Sequence, residues 1–171
     1  MKLVLSDTAL PLDFSQQADA SYINLDELKI ATCIGCFGCW TKTPSKCVIR
    51  DDATKVYPII AKSEHVIYVS KLQYGGYDLP MKTMLERAIP TQQAFIRLVD
   101  GEAHHVQRNV PLKAATIIAY GNICQQEQAI FERLVARNAH NMNFASVRVI
   151  FTSEAQLETV VMEEVAAWKK S

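Results

Sequence analysis

The stretch His65-Val66-Ile67-Tyr68-Val69-Ser70-Lys71-Leu72-Gln73-Tyr74-Gly75-Gly76-Tyr77-Asp78 decides how the chain is built. Its first five residues are rich in β-branched and aromatic side chains, which suit a strand. A turn with two adjacent glycines follows, and Asp78 then has the side chain of a helix cap. Beyond it Pro80 falls in a first helical turn, and Met81, Met84, Leu85 and Ala88 recur at helical spacing. The unit reads strand, loop, helix.

The same alternation extends in both directions. Leu3-Val4-Leu5, Ala114 to Tyr120 and Ser146 to Phe151 read as strands, and Tyr22-Ile23-Asn24-Leu25 as a weaker one. Asp51 to Lys62 reads as a helix with Val56, Ile59 and Ile60 on one face, and residues 125 to 138 as another, carrying Ile130, Phe131, Leu134 and Val135. A last helix opens with the capping box Ser153-Glu154-Ala155-Gln156; its stripe of Leu157, Val160, Val161, Val165 and Trp168 makes Trp168 a core residue.

Strands alternating with helices predict an α/β fold, a parallel sheet covered on both faces. With five strands the expected architecture is the flavodoxin-like three-layer sandwich in strand order 2-1-3-4-5, forming a single domain over residues 1–171. Ligands of such sheets bind beyond the carboxyl ends of the strands, which brings together the loops beginning at Ser6, Ser70 and Tyr120. The loop after the second strand lies on the same edge.

That loop holds Cys33-Ile-Gly-Cys36-Phe-Gly-Cys39-Trp and then Cys47. Thiolates at this spacing on a curled loop are able to share one iron or zinc ion, to act as a redox-active pair, or simply to pack as small hydrophobes. Cys124 stands apart and reads as structural.

Composition narrows the partners. The 171 residues are 49% hydrophobic, enough for one core, and 18 basic residues balance 18 acidic ones. No net field favours nucleic acid or an anionic membrane, so a small-molecule substrate or another protein chain is expected. The apolar run at the N-terminus is far shorter than a signal peptide, and no stretch approaches the roughly 18 apolar residues of a membrane span. A cytoplasmic setting is expected, in which cysteines are thiols or ligands.

Three stretches resemble the flavodoxin-like NAD(P)H-dependent FMN reductases and their iron–sulfur flavoprotein relatives. They are Cys33 to Cys47 with Asp51-Asp52, Ser70 to Tyr77 leading into Met81 to Arg87, and the pair Gly101 to His105 and Glu132 to Asn138. Together they cover residues 30 to 140. The resemblance implies FMN as cofactor, NAD(P)H as electron donor and, in the iron–sulfur branch, a 4Fe-4S cluster on Cys33, Cys36, Cys39 and Cys47. It places Ser70, Leu72, Gln73, Tyr74, Gly75, Gly76 and Tyr77 along the flavin ring, with Tyr74 or Tyr77 stacking on it. Ser6 and Thr8 fall in the phosphate loop, and Gly121 in the loop after the fourth strand. A homodimer or higher homo-oligomer is implied, because a partner chain often completes the flavin pocket. Catalytic side chains are not implied, since the cofactor carries the chemistry.

Two features depart from the family. The first loop, Ser6-Asp-Thr-Ala-Leu-Pro-Leu-Asp-Phe-Ser15, has no glycine, lysine or arginine, and Asp7 and Asp13 repel a phosphate. The short distance to Tyr22 predicts a truncated first helix. The seven residues before Cys47 also exceed the gap in iron–sulfur members.

The long connection from Pro90 to Pro111 has the length of a lid or an interface. Its His104-His105 pair points to opposite sides if extended, which favours surface or interface packing over catalysis. His65 and His140 carry no assigned role. Three functions follow: a flavin-dependent NAD(P)H oxidoreductase passing electrons to a small acceptor, a metal or redox-sensing module built on the cysteines, or a binding or assembly protein that has kept the fold and lost its cofactor.

Overall fold

The computed structural model describes residues 1–168, so the last three residues of the expected domain span lie outside it. In chain order the elements are β1 (Lys2–Ser6), β2 (Ala20–Asn24), the single-turn α1 (Gly38–Thr41), α2 (Ala53–Lys62), β3 (His65–Gln73), β4 (Gly76–Tyr77) and α3 (Leu79–Glu86). The hairpin strands β5 (Gln92–Val99) and β6 (Glu102–Gln107) follow, then β7 (Lys113–Tyr120), α4 (Gln125–Asn141), β8 (Phe144–Thr152) and α5 (Leu157–Ala167).

Five strands run parallel in the order β2-β1-β3-β7-β8, the flavodoxin-like order 2-1-3-4-5. Each strand's alternation divides its apolar side chains between two faces. Leu3, Leu5, Val66, Tyr68, Ile117 and Ala119 face α2, α3 and α4, while Val4, Ile67, Val69 and Ile118 face α5. Trp168 packs with this second group, as its stripe predicts.

The first crossover carries no helix. Residues 7–19 form a coil, and Leu10 is buried against the α5 side with Leu12 and Phe14 beside it. Pro11 disfavours helical geometry at Leu10, and the Asp13 carboxylate turns the chain by accepting the Ser15 N–H at 2.8 Å. The coil therefore covers the face that a helix would otherwise cover.

Three local expectations are corrected. The long connection after Pro90 is the β5–β6 hairpin, turning at Asp100-Gly101 with φ of 51° and 82°. The turn after β3 is also a hairpin, in which Leu72 pairs with Tyr77 and Gln73 with Gly76. Ser153 makes no capping bond; a 3-10 turn over Glu154–Gln156 precedes α5, and the Glu154 carboxylate turns to Lys71 at 2.8 Å. The capping box instead forms at Cys124, whose side chain accepts the Glu127 N–H while the Glu127 carboxylate accepts the Cys124 N–H at 3.1 Å. Among the described residues no helix is long and apolar enough to cross a membrane.

Candidate functional site

Parallel strands β1 and β3 diverge in connectivity at the sheet centre, and Asp7 sits at that switch point. The residue is only 8% exposed. Its carboxylate accepts hydrogen bonds from the Ser70 hydroxyl at 2.7 Å, the Lys71 N–H at 2.9 Å and the Tyr120 hydroxyl at 3.0 Å. One side chain thus ties together the carboxyl ends of β1, β3 and β7. Burial pushes the Asp7 carboxyl up from its ordinary value despite these three donors. The Tyr120 phenol is raised as well, by burial and by the adjacent carboxylate.

The expected phosphate-loop residues lie around Asp7 and are turned inward. Ser6 is fully buried, and its hydroxyl oxygen accepts the Thr8 N–H at 3.2 Å. Ser70 is buried and donates to Asp7. Gly121 lies at the end of β7, where a side chain would approach Lys71. The Lys71 ammonium, the cation at this edge, is paired with Glu154.

The expected ring-binding residues form the β3–β4 hairpin. Tyr74 and Gly75 make its two-residue turn, with φ of 52° and 75°, the left-handed pair that matches strand twist. Tyr74 stands 93% exposed at the tip, offering its ring to solvent. Gly75 packs on α4, since a Cβ there would lie 2.7 Å from the Ile130 Cγ2. Tyr77 points inward against Phe131, ring centroids 4.9 Å apart, and burial raises its phenol. Leu72 belongs to the core, whereas Gln73 is exposed. The structure thus brings Ser6, Thr8, Ser70 and Gly121 to the sheet edge and puts Tyr74 to Tyr77 on a projecting arm.

Beneath that arm lies a cavity of about 480 Å³ between α3, α4 and the β5–β6 hairpin, lined by Tyr77, Leu85, Ile89, His105, Ile130 and Leu134 among others. His105 also packs against Trp40, with centroids 4.5 Å apart and the rings tilted by 42°. His104 is buried, with its ring nitrogens 3.0 Å from Asn141 Oδ1 and 3.3 Å from Glu102 Oε2. The adjacent histidines therefore both pack, one of them inside the protein rather than at its surface.

The cysteine loop is fixed at its base by a residue that sequence reasoning did not single out. Arg87, 1% exposed, donates to both carboxylate oxygens of Asp51 and to the Ala31 carbonyl at 2.6 Å. It also reaches the Cys47 sulfur at 3.5 Å. The Tyr57 hydroxyl accepts the Cys47 N–H at 3.3 Å. Cys33 and Cys36 are exposed, Cys39 and Cys47 half-buried, and all are free thiols. Burial raises the Cys39 thiol, and the nearby Cys47, Cys33 and Cys36 add to the rise. Among the described residues, however, no three Cys, His, Asp or Glu side chains are arranged to hold a metal ion.

A stretch of 77 residues is 27% identical to an iron–sulfur flavoprotein of Methanocaldococcus jannaschii, amounting to 45% of this chain and 39% of that protein. The match thus spans well under half the length of that relative. The fold is similar to that of an FMN-dependent NADH-azoreductase from Bacillus anthracis in complex with FMN, with a TM-score of 0.56 at 10% identity over 96% of this chain and 94% of that one. It is equally similar to an NAD(P)H:quinone oxidoreductase from Methanothermobacter marburgensis, with a TM-score of 0.56 at 12% identity over 89% and 85%. No family model matches the chain. The flavodoxin-like fold is shared with these two oxidoreductases, and a stretch of the sequence is similar to the iron–sulfur flavoprotein, in line with the resemblance carried by the motifs.

Proposed function

We propose that the chain is a flavin-dependent NAD(P)H oxidoreductase that passes electrons to a small acceptor. The observation that carries this reading is the projecting Gln73 to Tyr77 arm, with Tyr74 exposed, at the carboxyl edge of a sheet shared with FMN-dependent enzymes. Held there by the Gln73 to Tyr77 arm, a flavin would supply the hydride and electron transfer between nicotinamide and acceptor. The chain's own part is to offer the Tyr74 ring as a stacking face and to fix the arm through Gly75 against Ile130. No side chain acts as an acid or base in this scheme.

The test is an absorbance spectrum of anaerobically purified protein before and after incubation with excess flavin and desalting. Flavin bands that persist and bleach on adding NADH or NADPH are expected. Absence of saturable binding of FMN, FAD and riboflavin overturns the reading.

The cysteine loop supports a second element, a metal centre or iron–sulfur cluster on Cys33, Cys36, Cys39 and Cys47. The spacing of the four cysteines on one loop and the base made by Arg87, which reaches the Cys47 sulfur, favour it. Closure of the loop around an ion would be needed, and the reducing cytoplasm that we propose as its setting keeps such thiols available. Stoichiometric iron with labile sulfide, or zinc, after anaerobic purification is the expected result; four free thiols in metal-replete protein would exclude it.

A further inference from the structure

We infer that the switch point of this sheet rejects a phosphate, so that the site takes a flavin without one, of the riboflavin class, in preference to FMN. The inference rests on the flavin reading above and is carried by Asp7. In an open α/β sheet a ligand's phosphate settles at the switch point, on backbone N–H groups at a helix N-terminus. The helix for that is missing here and most of the donors are occupied. Residues 7–19 contain no helix, and three N–H groups of the loop after β1 are already committed. The Asp7 N–H goes to the Val69 carbonyl at 3.1 Å, that of Thr8 to Ser6 Oγ at 3.2 Å, and that of Leu10 to the Tyr22 hydroxyl at 2.8 Å.

The anion position itself is taken. Ser70, Lys71 and Tyr120 all donate to the Asp7 carboxylate, which thereby stands where an external anion would accept. The nearby Lys71 ammonium is neutralised by Glu154, and Asp78 lies close enough to add its own negative field. A phosphate ester carries about two negative charges at neutral pH, so repulsion from Asp7 weighs directly against FMN and not against an uncharged ribityl chain. The ring-binding arm at Tyr74 is untouched by this difference. Discrimination between the two flavins therefore reports the switch point alone.

The experiment is a pair of fluorescence titrations of the intact chain with riboflavin and with FMN at matched ionic strength, repeated across a salt series. Riboflavin is expected to bind at least tenfold more tightly, and FMN affinity to rise with salt as the repulsion is screened, while riboflavin affinity stays flat. The D7N variant, which removes the charge at nearly constant size, is expected to narrow the ratio between the two flavins. The wild-type titrations decide the matter whether or not that variant folds. FMN binding as tightly as riboflavin, or more tightly, in the wild type overturns the inference and leaves the flavin reading intact. Binding of neither flavin overturns both.

Discussion

Arg87 and Asp51 meet in a two-pronged ion pair, Nη1 to Oδ2 at 2.7 Å and Nη2 to Oδ1 at 2.8 Å, with the guanidinium almost wholly withdrawn from water. The geometry links α3 to the far end of the cysteine loop, and the same guanidinium holds Ala31 at the near end. Cutting one partner strands the other as a poorly solvated charge.

The Arg87→Met variant is expected to lose about 3 to 5 kcal/mol of stability, with Arg87→Lys recovering only part because an ammonium cannot make the paired contact. Urea unfolding measures this. Alkylation of Cys47 followed by mass spectrometry should accelerate in the same variants, since its neighbour and the base of its loop are released. Burial pushes the Asp51 carboxyl up, but Arg87 and the Ala31 and Ala53 N–H groups outweigh it and hold the group below its ordinary 3.8. The pair's contribution is present above that value and is lost as pH falls through the lowered one.

Gly75→Ala should destabilise the arm by about 1 to 3 kcal/mol, because the residue has φ of 75° and its new methyl would meet Ile130 at 2.7 Å. Combining it with Ile130→Ala is expected to relieve the contact and leave the backbone strain. Thermal melts of the four members of this cycle measure the two parts separately.

Lys113 gives the fold an alkaline signature. Its ammonium is buried among the carbonyls of Ala61, Ser63 and Pro111, and burial lowers its pKa from 10.5 to about 8. Between those values the unfolded chain holds a proton that the folded chain has released, so stability rises with pH across the window. Below about pH 8 the buried charge costs its full amount. Denaturation curves from pH 7 to 10 should show this slope in the wild type and lack it in Lys113→Met.

The β5–β6 hairpin exposes Phe95, Ile96 and Leu98, an apolar group on a two-stranded sheet. A second copy of the chain is the proposed cover. Light scattering behind a sizing column should report a dimer for the wild type and a monomer for the double variant F95E and L98E, with unchanged far-ultraviolet circular dichroism.

Much of this was legible in the residues. The strands, their order and the Asp78 cap follow from apolar period and local chemistry, and the Asp78 carboxylate does accept the Leu79 N–H at 2.7 Å. The two hairpins were missed for different reasons. Asp100-Gly101 is a strong hairpin signal that was read as part of a long connection, whereas Tyr74-Gly75 lacks the usual Asn or Asp and is held in its turn by packing on Ile130. Ser153 looked like a cap, yet no capping bond forms there and Glu154 is drawn off to Lys71. The acidity of Asp7 was visible in the sequence. Its burial between three strands was not, because that depends on Ser70 and Tyr120, residues brought beside it only by the finished sheet.

The base of the β5–β6 hairpin is closed by a hydrogen bond from the Arg108 N–H to the Thr91 carbonyl at 3.1 Å. The chain thus enters and leaves this arm through almost the same point. Genetically the hairpin is a cassette: joining Thr91 to Arg108 by a short glycine linker deletes it without asking the parallel sheet to change register, and inserting another module there adds one. The Asp7 switch point, on the carboxyl ends of β1, β3 and β7, takes all its hydrogen bonds from outside the hairpin and would survive such an exchange, whereas the cavity beside Tyr77 would lose its His105 wall.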